Sequence, residues 1–187
     1  MGNRGCLHDA AGRIRRPFAG KRWIICVLQF KGRRRPLMVP GHYTELFFLD
    51  EATALAAGHR PCMECQRSRY LLFRAHWQAT DPARATAPPP SADELDDALH
   101  AERLDAGRGR RTYVERLSWL PDGVVVVDDG RAHLVRAGAL IPWALQGYGA
   151  NARRPPPSDE VRVLTPRSIV LAIGRGYPVE VHASASS

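Results

Sequence analysis

Cys62 and Cys65 sit in the stretch GHRPCMEC, residues 58–65 of a 187-residue chain. That spacing lets one tight turn aim two sulfurs and several backbone N–H groups at a single point, which is half of a tetrahedral zinc site. Pro61 stiffens the approach to the turn. The chain has two more cysteines, giving the set Cys6-x19-Cys26-x35-Cys62-x2-Cys65. An even set with one Cys-x-x-Cys reads as a metal site rather than a disulfide framework in a reducing compartment. Zinc accepts four thiolate or imidazole ligands, so His8, His42 or His59 could stand in for one of the distant cysteines. A redox Cys-x-x-Cys should follow a strand, whereas this pair follows a helix and a Gly-His-Arg-Pro turn.

The elements that must carry these sulfurs are legible in outline. RWIICVLQF, residues 22–30, is β-branched and aromatic and reads as a strand. KGRR turns it into a partner strand at PLMV, residues 36–39. Ile24, Cys26 and Leu28 share one face of that strand, read as the core face, where Cys26 would also fit as a small packed residue. Cys6, in GNRGCLH, falls in a loop. LDEATALAAG is a short helix capped by Asp50 and stopped by Gly58, and CQRSRYLLFRAHWQAT is a second helix. Residues 81–91, DPARATAPPPS, mark a stiff linker between a module at 1–80 and another at 92–187. Beyond it, Ser91 and Glu94 form a capping box for a helix with an acidic outer face. VVVVDDGRAHLVR is a hairpin turning at Asp129-Gly130, EVRVLT is a further strand, and Thr165-Pro166 opens a last helix. The class is α+β: a small zinc-stabilised module followed by a second α+β module carrying the hairpin.

FFLDEATALAAGHRPCMECQRSR resembles the second half of the N-terminal zinc-binding domain of Ada-type proteins, which bind DNA and repair methylphosphotriesters. The resemblance is tight over about 25 residues and loose over residues 20–80. It implies zinc, with Cys62 and Cys65 as ligands. In that family the first two ligands form Cys-x-x-x-Cys, and the first of them accepts the methyl group. Cys26 matches this nucleophile, but its neighbours include no second sulfur, so Cys6 would complete the site from another direction. On the core face of a strand, Cys26 would reach a phosphotriester poorly, and methyl acceptance is not the favoured reading.

Charge points to a partner. Residues 1–80 hold 14 Lys/Arg against 5 Asp/Glu, while residues 81–187 hold 13 against 14. A basic half suggests a polyanion. Arg15, Arg16, Lys31, Arg33, Arg34 and Arg35 are the candidate contacts to nucleic acid, DNA or RNA, with DNA favoured by the resemblance. PGHYTELFF, residues 40–48, places His42 and Glu45 near the cysteines, where they are candidates for acid–base work in an enzyme on nucleic acid or nucleotides. No stretch approaches the ~20 apolar residues of a membrane span. With no apolar leader either, the expectation is a cytoplasmic protein. Residues 92–187 hold no phosphate loop, nucleophile elbow or acid pair.

Overall fold

A computed structural model describes residues 1–32, 36–107 and 109–186, the last without its side chain. The class is α+β, as the sequence indicates. The N-terminal part contains β1 (Gly2–Asn3), β2 (Ile24–Ile25), α1 (Glu51–Ala56), β3 (Arg60–Pro61) and α2 (Arg67–Gln78). There follow α3 (Pro82–Ala85) and α4 (Ala92–Arg103), then β4 (Tyr113–Arg116), β5 (Val125–Asp128), β6 (Arg131–Arg136), β7 (Ala139–Ala144), β8 (Gly147–Tyr148), β9 (Glu160–Val163) and α5 (Arg167–Gly174). One sheet runs β1-β2-β3 and the other β4-β9-β5-β6-β7-β8. Among the described residues, no helix is long and apolar enough to cross a membrane.

Several elements form for the reasons the sequence displays. Asp50 accepts from the Thr53 amide at 2.8 Å and the Thr53 hydroxyl accepts from the Asp50 amide, closing a capping box on α1. Ser91 and Glu94 do the same on α4. At the β5–β6 turn both Asp129 and Gly130 take positive φ, 46° and 74°, as a two-residue hairpin requires. Thr165 lies two residues before the last helix, whose cap position is held by Pro166. Its hydroxyl accepts from the Val125 amide at 3.0 Å and so ties the start of α5 to the sheet.

The region before α1 departs from expectation. The strand at 22–30 shrinks to Ile24–Ile25, and residues 36–39 form no strand. Pro36 and Pro40 withhold N–H donors, and Lys31 and Met38 turn left-handed at φ 50° and 57°, which breaks an extended hairpin. β2 instead pairs antiparallel with β1 and parallel with β3. The facing of the strand is also the reverse of that expected. Trp23 and Ile25 are buried, Leu28 is 72% exposed, and Cys26 is half-buried on the outward side. The bulk of Trp23 decides this, because its ring is buried with the Arg4 and Arg103 guanidiniums packed over it, 4.7 and 4.8 Å from its centroid.

One apolar cluster joins Ile25, Leu55, Phe73 and Trp77 to Leu95, Leu99, Val126, Val163, Ile169 and Ile173, from both sides of the proline-rich segment. Polar anchors cross the same boundary. The buried Glu51 carboxylate in α1 pairs with Arg69, and accepts from the Tyr177 hydroxyl at 2.6 Å and the Glu180 amide at 3.0 Å. Arg60 and Asp96 form a bidentate pair at 3.0 and 2.6 Å with both side chains buried. The acidic face of α4 meets the basic N-terminal part at Lys21–Asp97 and Arg22–Asp93, 2.8 and 3.1 Å.

These pairs differ sharply in what their loss costs. Asp96→Ala strands a buried guanidinium and should cost about 3–5 kcal/mol in denaturant unfolding. Asp97→Ala removes an exposed pair and should cost less than about 1 kcal/mol. His59 adds a pH dependence. It is fully buried, its ring nitrogens make no hydrogen bond of good geometry among the described residues, and burial, followed by the charges of Arg4 and Arg103, lowers its pKa to about 3. The unfolded chain takes up this proton below pH ~6.5 and the folded chain does not until about pH 3. Stability should therefore fall by about 1 kcal/mol per pH unit as acid crosses that window. His59→Phe, followed by urea unfolding at pH 7 and pH 5, should flatten this dependence.

Candidate metal centre

Three thiols converge. The sulfurs of Cys26, Cys62 and Cys65 all lie within 4.8 Å of one another. Main-chain pairing brings them there. The Arg60 amide donates to the Trp23 carbonyl at 3.0 Å and the Cys62 amide to the Ile25 carbonyl at 2.9 Å, so β3 runs beside β2 and delivers Cys62 next to Cys26. The turn then doubles back into α2, with the Gln66 amide donating to the Cys62 carbonyl at 3.1 Å and the Gln66 side chain to the Ile25 carbonyl at 3.0 Å.

The three sulfurs share their ionisation unequally. The Cys62 thiol is held down to about 5, first by a hydrogen bond from Cys26, with the Cys65 and Glu64 amides also donating to its sulfur. Hydrogen bonding to Cys62, then burial and repulsion from the neighbouring sulfurs, drives Cys26 upward. Burial pushes Cys65 up, opposed by the Val27 amide. Near neutrality the cluster thus carries one thiolate and two thiols, as expected where like charges crowd. A divalent cation reverses that logic by holding all three deprotonated. A zinc–sulfur tetrahedron with 2.3 Å arms has edges of about 3.8 Å, which these sulfurs reach with small adjustments.

Cys6 is not in the group. Its sulfur contacts the His8 carbonyl at 3.5 Å. None of the three histidines takes its place. His8 is buried, with Nδ1 on the Thr44 hydroxyl at 2.6 Å and Nε2 3.3 Å from the Val39 carbonyl. His42 is exposed, with Nδ1 3.2 Å from the Pro40 carbonyl. His59 is packed against Trp23 and Phe48. The expected convergence of four sulfurs is a convergence of three, because the loop around Cys6 is pinned to Thr44 through the Leu7 amide and His8.

A cavity of about 200 Å³ opens onto the thiols, lined in part by Asn3, Tyr43, Glu64 and Phe30. Tyr43, rather than His42 or Glu45, is the residue of the 40–48 stretch that reaches it. Glu45 accepts from the Met38 amide at 3.0 Å and closes its own loop. Glu64 lies between the two cysteines of the turn and Tyr43 within the polar 40–48 stretch, so both were signalled by their motifs; nothing local in the sequence marked Asn3. Of the candidate nucleic-acid contacts, Arg16 and Lys31 are exposed and Arg15 pairs with Asp9 at 2.8 Å. Arg33, Arg34 and Arg35 lie outside the described residues.

Compared with protein-family models, curated proteins and solved structures, the chain has no significant match.

Substitution separates the sulfurs. Cys26→Ser, Cys62→Ser and Cys65→Ser should each lower metal affinity at least ~10-fold, while Cys6→Ser should leave it unchanged, read by competition with a chromophoric chelator. Loading the metal-free protein at pH 7 should release about two protons per ion, from the two thiols that are not already ionised. Calorimetry in buffers of different ionisation enthalpy measures that number.

Proposed function

We propose that this chain is a zinc-binding protein of the Ada-like kind whose basic N-terminal part contacts nucleic acid, DNA in preference to RNA, in repair or regulation. The observation that carries the metal half of this reading is the meeting of Cys26, Cys62 and Cys65. An all-sulfur donor set selects zinc among the common divalent ions. The exposed Arg16 and Lys31, with the arginine run that follows Lys31, support the nucleic-acid half. Not all the basic excess is free for such a partner, since Lys21 and Arg22 are already paired with α4.

A second reading has one observation in its favour. Three thiolates leave a tetrahedral ion one position short among the described residues, and all three cysteines line the cavity. An open position is the mark of a reactive rather than a closed zinc site. The outward placement of Cys26 also gives its sulfur a route to a substrate. Under this reading the chain is an enzyme on a nucleic acid or nucleotide, with Tyr43 and Glu64 nearer the chemistry than His42 and Glu45.

Zinc content near one per chain, measured by elemental analysis of protein purified without added metal, supports both readings; its absence removes both. Fluorescence anisotropy with labelled duplex DNA should show affinity falling steeply with salt. Arg16→Gln and Lys31→Gln should each reduce the log–log slope by about 0.9. A salt-independent or absent signal with both DNA and RNA would end the nucleic-acid reading. For the enzyme reading, cobalt-substituted protein should change its visible spectrum when imidazole is added, and an unchanged spectrum would mean a closed site. Mass spectrometry after incubation with alkylated DNA should show a methyl on Cys26 only if that sulfur is an acceptor.

A further inference from the structure

A second cavity, of about 150 Å³, lies at the other end of the GHRPC stretch and is lined by four arginines, Arg4, Arg103, Arg110 and Arg111. That is the liquid volume of about five waters, room for a small polyatomic ion. No carboxylate is among its described lining residues. Arg103 is 4% exposed, and its Nε and Nη2 have no hydrogen-bond partner among the described residues, nor does Nε of Arg4. Nη1 of Arg103 donates to the Lys21 carbonyl at 2.7 Å, and Nη2 of Arg110 donates to the Ala56 carbonyl and, at 2.7 Å, to the Leu164 carbonyl.

The nearby acids are already committed. Both oxygens of Asp96 accept from Arg60, and Glu102 accepts from the Ser168 amide at 2.9 Å. Burial above all lowers the pKa of Arg103, to about 9, with the Arg60 and Arg4 charges adding to the effect against Asp96 and Glu102. It stays cationic at neutral pH. Buried guanidinium N–H groups without acceptors are costly, and an unpaired cluster of like charge is more so. Trp23 offsets part of that cost through its ring face but supplies no acceptor.

We propose that this cavity binds a tetrahedral dianion of the phosphate class. Guanidinium forks match phosphate oxygens bidentately, and four cations over-neutralise a single carboxylate. Gly58 is part of the device. It has φ +82°, and a Cβ there would come within 2.9 Å of Arg103 Cγ, so any side chain would push the guanidinium from its place. The site requires neither the metal nor the nucleic-acid contact proposed above. Two sources share this chemistry, free phosphate and a terminal phosphate on an oligonucleotide.

Thermal unfolding of the full chain in inorganic phosphate, against chloride of equal ionic strength, tests the proposal. A hundredfold excess over Kd should raise Tm by about 5 °C or more. Acetate should give no such rise. Arg4→Gln and Arg111→Gln should each weaken phosphate binding by at least ~10-fold, with Arg103→Gln as a third variant if it folds. Gly58→Ala should weaken it without removing a charge. A 5′-phosphorylated oligonucleotide competing better than its unphosphorylated twin would identify a nucleic-acid end; equal competition by the two, each weaker than inorganic phosphate, would identify a free anion. A phosphate shift no larger than that of chloride, or one equal in wild type and variants, would overturn the site.

Discussion

The buried Arg60–Asp96 pair holds the thiol turn in its place on the rest of the molecule. Removing two charges from water costs several kcal/mol each, and only full hydrogen bonding makes the arrangement tolerable. Arg60 meets that condition with two bonds to Asp96 and a third to the Pro61 carbonyl at 3.0 Å, over the Tyr70 ring. Burial raises the Asp96 carboxyl, and the guanidinium opposes that rise. Because Arg60 belongs to β3, fixing its side chain against α4 fixes the backbone that pairs with β2. The distance between Cys62 and Cys26 follows from that register.

GHRPC therefore works in two directions. Its C-terminal end presents sulfur to one cavity, while Gly58 lines an arginine-lined cavity at the other end. The two ends have opposite electrostatic needs. The thiols crowd toward negative charge and call for a cation; the arginines crowd toward positive charge and call for an anion. His59, between Gly58 and Cys62 in the chain, is buried and packs against Trp23.

The charge asymmetry of the sequence looks different once folded. Part of the basic excess of the first 80 residues is spent on the acidic face of α4, through Lys21–Asp97 and Arg22–Asp93, and part is buried as Arg60. Glu51 and Asp50 likewise tie α1 to Tyr177, Glu180, Tyr148 and His182 near the end of the chain. Opposite charges far apart in sequence are thus matched at the surface by Lys21–Asp97 and Arg22–Asp93 and in the interior by Arg60–Asp96.

Local chemistry was readable from the residues alone. The capped starts of α1 and α4, the Asp129-Gly130 turn and the paired sulfurs of Cys62 and Cys65 depend on atoms a few residues apart, and those rules act wherever the stretch sits. The facing of Cys26, the exclusion of Cys6 and the arginine cavity were not readable. Period-2 alternation says that Ile24, Cys26 and Leu28 share a side, but the burial of Trp23 against Arg4 and Arg103 selects which side faces out. Arg4 and Arg103 are 99 positions apart, and no local pattern announces that they pack on one ring. Only long-range packing, which must place each large side chain and satisfy each buried charge at once, decides such matters.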